Sequence, residues 1–270
     1  MRFRFTTARD VKSEIQSRFG ISVHVSTVKR LRRKHGFEAG KPKFIPHIRE
    51  ANKIKRKEFC ASLIDSKDSF DDVIFTDECS FQVGNNRAIA VSKIIRDESG
   101  KIISKDVPHV PRVKHPLKVH VWGGISRKGA TQLVVFSGIM DAEFYTNRIL
   151  KETLLPAILH LFPTPRTHRF WQDNDPKHTS RKAKYFMEEN HINWFKTPAE
   201  SPDLNMIENV WSTMKYYVSK ENPKNQTDLV NAILGVWKSH LTVEQCNKYI
   251  NHMYKVLPKV MEADGGFSGC

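Results

Sequence analysis

Three acidic side chains stand where the sequence favours metal-dependent chemistry. Asp77 follows the apolar run "VIFT", Asp173 follows "RFWQ", and Glu208 lies within "SPDLNMIENVW". Carboxylates at two strand ends and on a packed helix offer oxygen ligands, which suit Mg²⁺ or Mn²⁺. Two such ions about 4 Å apart can activate a nucleophile and stabilise the leaving oxygen in phosphodiester chemistry. The three residues therefore predict a catalytic metal site.

Neighbouring acidic residues compete for each of these roles. Glu78 is an alternative to Asp77, and the alternation of a strand would point the two side chains to opposite faces. Asp175 competes with the aspartate two positions before it, but its place ahead of a proline favours a turn. Asp203 competes with the later glutamate, although "SPDLN" is typical of a helix start with Asp203 as the cap. An acidic residue after a strand is also commonly a turn or cap residue.

Other residues near the acidic positions have supporting interpretations. His178 could polarise a phosphate, orient Asp173, or serve as a structural hydrogen-bonding residue. Asn174 belongs with His178 to the turn that directs Asp173. Trp171 and Trp211 are expected in the core, where large aromatic side chains bury most of their area.

Strands precede the acidic residues and helices follow them. The run before Asp77 predicts one strand, with a second strand after the two acidic residues. Asp77 and Asp173 would then lie at the carboxyl ends of strands, where open α/β sheets bind their ligands. The other predicted strands are "LKVHVWGGIS", "TQLVVFSGI", "THRFW" and "INWFKT"; the predicted helices are 141–161, "SRKAKYFMEEN", the stretch after "SPDLN", and two more near 227–241 and 242–256. This order predicts a mixed α/β sheet.

Residues 92–118 interrupt the predicted sheet. The stretch is polar, contains three prolines and matches no clear helix or strand pattern. It is therefore predicted to be a long inserted loop, and long loops in compact domains are often functional.

The positive charge of the chain is concentrated near its N-terminus. The 270 residues carry a formal net charge of +15, and residues 1–60 hold 17 Lys and Arg against 5 Asp and Glu, a net of +12. The remaining residues hold 27 basic and 24 acidic groups, a net of +3. Such an excess predicts a polyanionic partner for the N-terminal quarter, either nucleic acid or an anionic membrane surface.

Two short helices are predicted in this basic quarter. The first is capped by Thr6 or Thr7 and ends at Gly20, and the second is capped by Ser26 and ends at Gly36. In the second helix an apolar valine and leucine, Val28 and Leu31, would face inward. A tight turn before a basic helix predicts a helix-turn-helix that contacts DNA.

The predicted DNA-contacting residues lie on the second helix and in the linker after it. The first turn would meet base edges, and the basic side chains would also meet phosphates. The candidates are Ser26, Thr27, Lys29, Arg30, Arg32, Arg33, Lys34, Lys41 and Lys43. An exposed basic helix that only keeps the protein soluble is the alternative. "KRLRRKH" and "KIKRK" could also serve as nuclear localisation signals.

Several other classes are disfavoured. No segment has about 18 consecutive apolar residues, which argues against a transmembrane helix. The N-terminus lacks the apolar region of a secretory signal. The four cysteines show no CxxC pairing, which argues against a zinc site and favours reduced thiols in an intracellular compartment.

Four motifs in order carry a family resemblance. The runs "FTDECSF", "VWGGIS", "WQDNDPKHTS" and "SPDLNMIENVWSTMK" together resemble the catalytic domain of the Tc/mariner superfamily of DDE transposases, close to its Tc-one-like branch. The resemblance covers about residues 8–265. Between Asp173 and Glu208 lie 34 residues, the spacing of that branch. The family's catalytic and metal-binding triad falls on Asp77, Asp173 and Glu208.

The resemblance implies an α/β, RNase H-like mixed-sheet catalytic domain preceded by a partial helix-turn-helix segment. The implied division is a DNA-binding segment at 1–40, a basic linker at 41–70, and a catalytic domain at 71–265 with the inserted loop 92–118. The implied activity is cut-and-paste transposition with two Mg²⁺ ions, for which Mn²⁺ can substitute. Its DNA partners would be terminal inverted repeats and TA target sites. A homodimer or larger homo-oligomer would act in the nucleus.

The N-terminus departs from the family pattern. Relatives begin with two helix-turn-helix units, and here Met1 falls inside the second, which predicts an N-terminally truncated chain with impaired recognition of element ends. One alternative is a domesticated or decayed DNA-binding protein without catalysis. Another is an RNase H-like nuclease acting on RNA–DNA hybrids, which fits the acidic site and leaves the helix-turn-helix unexplained.

Overall fold

The structure is a computed structural model that describes residues 7–38, 45–84, 93–100, 102–106, 116–163 and 168–270. It forms two compact units, Met1–Ile45 and Pro46–Cys270. Among the described helices, none combines the length and apolar character that a membrane span requires.

The N-terminal unit contains helices α1 (Ala8–Phe19) and α2 (Val25–Lys34). Thr7 caps α1 by a reciprocal capping box with Asp10, and Gly20 ends it in the left-handed conformation, with φ 69°. The predicted first helix is therefore confirmed in both its existence and its ends.

The second helix differs from the prediction in two details. Its N-cap is His24, whose side chain accepts from the Ser26 backbone N–H, so the prediction of Ser26 as the cap is wrong. Val28 is buried as predicted, but Leu31 is 47% exposed. Two short helices can bury few side chains, and in this unit Val28 is buried whereas Leu31 is not.

The second unit is built around one six-stranded sheet. Its strands are β1 (Val73–Gln82), β4 (Lys118–Ser126), β5 (Gly129–Ala130), β6 (Val134–Phe136), β7 (Arg169–Gln172) and β8 (Trp194–Lys196). The order is β5-β4-β1-β7-β8, with β6 also paired to β4. β4 is antiparallel to β1, whereas β1, β7 and β8 are mutually parallel. The predicted mixed sheet is thus confirmed.

Strand β1 is one ten-residue strand, and the prediction of two strands divided at the acidic residues is wrong. Its pairing with β4 runs without interruption from Phe75 to Gln82, through Asp77 opposite Gly123. Polar residues in mid-strand suggest a break, but the ladder with β4 satisfies their backbone groups whatever their side chains.

Helices cover both faces of the sheet. They are α3 (Glu50–Asp65), α4 (Ala142–Phe144), a π-helix (Tyr145–Leu154), α5 (Leu155–Leu161), α6 (Arg181–Glu189), a 3₁₀ turn (Pro202–Leu204), α7 (Ile207–Lys220), α8 (Gln226–His240), α9 (Val243–Asn251) and α10 (Met253–Glu262). The predicted helix at 141–161 is present as three consecutive segments. After α7 three helices follow rather than two, because the chain breaks again at His252.

The alternation of β1 divides the core into two layers. Odd-numbered residues such as Val73 and Phe75 pack with α3, α7, α8, α9 and α10, whereas Ile74 packs with the π-helix, α5 and α6. Trp171 and Trp211 are 2% and 1% exposed, which confirms both as core residues. The sheet is therefore covered on both faces, and the residues at its carboxyl ends are held by rigid elements.

Two predicted irregular stretches contain regular structure. The range 41–70, predicted as a basic linker, includes α3, which buries Asn52, Arg56, Cys60 and Leu63. The range 92–118, predicted as a loop, includes the antiparallel hairpin of β2 (Lys93–Arg96) and β3 (Ile102–Asp106). The spacing of apolar residues indicates neither element, because α3 buries a charged side chain and the hairpin exposes its isoleucines.

Candidate active site

Asp77 and Asp173 are brought level by the parallel pairing of their strands. Phe75 pairs with Trp171, and Asp77 and Asp173 each lie two residues further along the chain. The Thr76 hydroxyl donates to the Trp171 carbonyl oxygen at 2.9 Å, which fixes this register next to both carboxylates. Asp173 follows the end of β7 as predicted. Asp77 lies in the middle of β1, so the prediction that it lies at the carboxyl end of a strand is wrong; β1 continues past the end of β7 because it pairs with β4 as far as Gln82.

Glu208 lies in the first turn of α7, and Asn205 attaches that turn to β1. The buried Asn205 side-chain amide donates to the Thr76 carbonyl oxygen at 3.0 Å, one residue before Asp77. The Glu208 backbone N–H in turn donates to the Asn205 carbonyl at 3.1 Å. The predicted apolar stripe of α7 is confirmed, with Ile207, Val210, Trp211, Met214 and Val218 all buried. Glu208 itself is exposed, beside the stripe.

Asp77 is surrounded by carboxylates. Burial is the largest cause that raises its pKa, and the negative charges of Glu208 and Glu78 follow; together they raise the pKa of Asp77 to about 8. Asp173 adds a smaller contribution of the same sign. Like charges held together in a poorly solvated site oppose ionisation unless a cation joins them.

Asp77 lies opposite a glycine against which a pair of tryptophan rings packs. Its partner in β4 is Gly123, and a Cβ placed there would lie 2.6 Å from the Trp237 ring. Trp237 stacks on Trp211 with ring centroids 5.6 Å apart, and its indole N–H donates to the Thr131 carbonyl oxygen at 3.0 Å. The glycine therefore admits a ring that a larger residue would exclude.

His178 bridges two carboxylates. Its Nδ1 lies 2.5 Å from Asp173 Oδ1, and its Nε2 lies 2.9 Å from Glu78 Oε1. Burial disfavours the charged ring, but the hydrogen bonds to Asp173 and Glu78 outweigh it and raise the pKa of His178 to about 9. Although burial opposes ionisation of Asp173, the bond and charge of His178 lower its pKa.

The other residues of the motif form the turn. The Asn174 side-chain amide donates to the Thr197 carbonyl oxygen at 3.0 Å. Asp175 accepts from the Lys177 backbone N–H at 3.0 Å and pairs with the Lys177 ammonium at 3.0 Å. These contacts agree with a turn role for Asp175. Ser180 caps α6.

Asp203 has a role that the sequence interpretation missed. It forms a bidentate pair with Arg56 of α3, each N···O distance being 2.8 Å, and both side chains are almost fully buried. The N-cap position of α7 is occupied by Met206, so the expectation of Asp203 as the helix cap is wrong. The pair instead holds the chain segment before α7 against α3.

The three predicted ligands are electrostatic neighbours and not a closed ligand shell. Across the described residues, no group of three or more His, Cys, Asp or Glu side chains is arranged to hold a metal ion. The assignment of Asp77, Asp173 and Glu208 as metal ligands and catalytic residues stays a prediction.

The predicted DNA-contacting side chains of α2 are mostly at the surface. Ser26, Lys29, Arg30, Arg33 and Lys34 are exposed. Thr27 is half-buried, and the half-buried Arg32 guanidinium donates to the Thr7 carbonyl oxygen at 3.4 Å, which links α2 to the start of α1. Lys41 and Lys43 lie outside the described residues.

The second unit also matches a family by sequence. The family model described as DDE superfamily endonuclease matches residues 72–230, more than half of the chain. The chain belongs to the DDE superfamily of endonucleases. A second family model, described as transposase, matches residues 2–65 and covers the helix-turn-helix.

Curated relatives agree with this DDE assignment. The Tc1 transposase of Caenorhabditis elegans is 28% identical over 261 residues, 96% of this chain and 93% of the relative. The Tcb2 transposase of Caenorhabditis briggsae is 26% identical with the same coverage. These relatives confirm the predicted place of this DDE protein among the Tc/mariner transposases.

Solved structures share the fold of the DDE chain. The Mos1 mariner paired-end complex with Mn aligns with a TM-score of 0.78 at 17% identity, over 96% of this chain and 75% of that chain. The Mos1 catalytic domain aligns with a TM-score of 0.61 at 17% identity, over 83% of this chain and 99% of that chain. The predicted RNase H-like fold is thereby confirmed.

Proposed function

We propose that this DDE protein cuts DNA at terminal inverted repeats and joins the freed 3′ ends to TA target sites, as a cut-and-paste transposase. The observation that carries the proposal is the convergence of Asp77, Asp173 and Glu208 from β1, the end of β7 and the first turn of α7. The charge of Glu208 contributes to the raised pKa of Asp77, so these carboxylates act on one another.

The donor set fits hard divalent cations. The three residues offer carboxylate oxygens only, and the crowding of negative charge at the buried Asp77 is relieved by a cation. Two Mg²⁺ ions, for which Mn²⁺ can substitute, would when bound supply an activated nucleophile and neutralise charge at the scissile phosphate. Asp77 and Asp173 would hold them from the sheet and Glu208 from α7.

The same elements keep the carboxylates in place during the reaction. The β1–β4 ladder fixes Asp77, Asn205 fixes the turn that carries Glu208, and His178 restrains Asp173. Reactive groups need placement within fractions of an ångström, which rigid elements supply better than loops.

The double-stranded DNA partner is assigned mainly to α2. Its exposed basic side chains would neutralise phosphates, and its first turn, with Ser26 and Thr27, would reach base edges. The Mos1 transposase paired-end complex with left transposon end has a similar fold, which supports this assignment.

A homodimer or larger homo-oligomer is part of the proposal, because cut-and-paste transposition joins two ends. The β2–β3 hairpin supports it with an apolar surface, since its isoleucines Ile94, Ile95, Ile102 and Ile103 are each at least 42% exposed. The nucleus is the proposed compartment. The side chains of "KRLRRKH" are exposed except for the half-buried Arg32, whereas "KIKRK" includes the buried Arg56 and gives weaker support.

Metal-dependent nicking tests the function. The full chain is incubated with Mg²⁺ or Mn²⁺ and a duplex carrying its element's terminal repeat, beside Asp173→Ala and the surface control Glu244→Ala. We expect nicking by the parent and the control, and none by Asp173→Ala, because the variant lacks one predicted ligand. Equal DNA binding without cleavage in all three proteins would overturn the proposal in favour of a non-catalytic DNA-binding protein.

A further inference from the structure

Glu78 is a carboxylate that the proposed reaction does not use. It follows Asp77 in β1, and because strand residues alternate, its side chain lies on the opposite face, towards the π-helix and α6. There its Oε1 lies 2.9 Å from His178 Nε2, and its Oε2 lies 3.8 Å from the Lys177 ammonium. Glu78 thus has its own partners, and they lie on the face of β1 opposite to the one that Asp77 shares with Glu208.

The ring that Glu78 contacts is held on several sides. His178 is 2% exposed, and its ring centroid lies 4.3 Å from that of Tyr145, the first residue of the π-helix. The Tyr145 hydroxyl donates to Gln172 Oε1, at the end of β7. A ring packed in this way has little freedom to rotate, so its hydrogen-bond directions are fixed by its neighbours.

The other side of the ring meets Asp173 at one defined atom. His178 Nδ1 lies 2.5 Å from Asp173 Oδ1, and the Asp175 backbone N–H donates to the same oxygen at 3.0 Å. Both bonds fall on Oδ1, which leaves Oδ2 outside them. Groups of its own motif therefore restrain this carboxylate through one oxygen, and neither of these two bonds uses the other oxygen.

We propose that Glu78 is a positioning residue that acts through His178: it holds the ring, and the ring orients Asp173 so that Oδ2 can bind a divalent cation. This inference rests on the proposed function of Asp173. Ligating carboxylates are commonly restrained by a second set of hydrogen-bonding groups, and loss of such a group weakens metal binding without removing a ligand.

A direct metal-ligand role for Glu78 makes a different prediction. If Glu78 bound the cation itself, its removal would weaken binding whether or not His178 were present. If it acts through His178, its removal has no effect once the ring is gone. A double-mutant cycle separates the two, because it isolates the part of the effect that the two residues share.

The test measures Mn²⁺ affinity of the full chain by titration calorimetry, without DNA. We expect Glu78→Ala and His178→Ala each to weaken binding about 10–100-fold, and the double variant to match His178→Ala. Glu78→Gln keeps an acceptor for Nε2 and should stay near the parent. Glu244→Ala, on the exposed surface of α9, is the matched carboxylate control.

The outcomes distinguish this inference from the proposed function. Parent-like affinity in Asp173→Ala would overturn the metal site itself. Loss in Asp173→Ala with parent-like affinity in Glu78→Ala would overturn only the role of Glu78, and further loss in the double variant would assign Glu78 as a ligand. Should Glu78→Ala fail to fold by circular dichroism, Glu78→Asp replaces it, because its shorter side chain withdraws the acceptor from Nε2 and the same loss is expected.

Discussion

At the scale of single residues, a buried ion pair holds the segment that precedes α7. Arg56 is fully buried and donates to both Asp203 oxygens, to the Glu200 carbonyl, and to the carbonyls of Gly265 and Gly266. The guanidinium therefore links α3, the turn before α7 and the C-terminal segment. A charge that is buried so completely depends on its partner, since no water replaces it.

Asp203→Asn should therefore destabilise the fold strongly. The substitution keeps the shape of the side chain but leaves the Arg56 charge uncompensated, which costs about 3–5 kcal/mol when one partner of a buried pair is removed. The free energy of unfolding from urea titration measures the effect.

Asp264→Asn is the matched control for this substitution. It removes an aspartate that pairs with Lys57 at 2.6 Å, but both of these side chains are largely exposed. Solvent screens such a pair, so little change is expected. Equal losses in the two variants would show that burial of the Arg56–Asp203 pair is not what makes it important.

At the scale of elements, the contact of β4 with α8 depends on the absence of a side chain. Gly123→Ala places a Cβ 2.6 Å from the Trp237 ring and 3.0 Å from Leu133, too close for either contact. Displacing the ring should cost about 1–3 kcal/mol of unfolding free energy, as for other overpacked sites. Urea titration is again the measurement.

Gly235→Ala tests the same exchange where space is open. Gly235 lies inside α8, and a Cβ there meets nothing within 4 Å. The substitution should stabilise the protein by up to about 1 kcal/mol, because alanine favours a helix more than glycine does. Destabilisation of similar size in both variants would contradict the role given to the Trp237 contact.

The elements also show how far sequence reasoning reaches. The caps of α1, the stripe of α7 and the strand before Asp173 follow from local patterns, and all three are confirmed. The continuity of β1 does not follow from local patterns, because it comes from pairing with β4, more than 30 residues away in the chain. The helix α3 does not follow from local patterns either, because the partner of its buried Arg56 is Asp203, far along the sequence.

The candidate site divides in the same way. The motifs predict which carboxylates belong together, since their order and spacing match a known family. The partner of His178 on its second nitrogen is not readable from the motif, because Glu78 lies 100 residues earlier. Alternation along β1 indicates the face of Glu78, and tertiary packing decides what meets it there.

At the scale of the whole molecule, most of the positive charge that DNA phosphates would meet lies in the N-terminal quarter. Residues 1–60 carry a net charge of +12, whereas the remainder carries +3. Binding that releases counterions from phosphates weakens as salt rises, with a slope that counts the neutralised phosphates. The salt dependence of affinity should therefore be governed by the basic N-terminal quarter and depend little on the near-neutral remainder.

Arg33→Gln should lower the salt dependence of DNA binding. The exposed Arg33 lies on α2, and losing one phosphate contact should reduce the slope of log affinity against log salt by about 0.9. Fluorescence anisotropy with a labelled duplex at several salt concentrations measures the slope.

Lys248→Gln removes an exposed lysine of α9 and should leave the slope unchanged. Loss of a phosphate contact weakens binding to all DNA sequences alike, so an unrelated duplex should show the same reduction in slope. Parallel lines for the parent and Arg33→Gln would remove Arg33 from the phosphate contacts, and a reduced slope in Lys248→Gln would extend these contacts to the second unit.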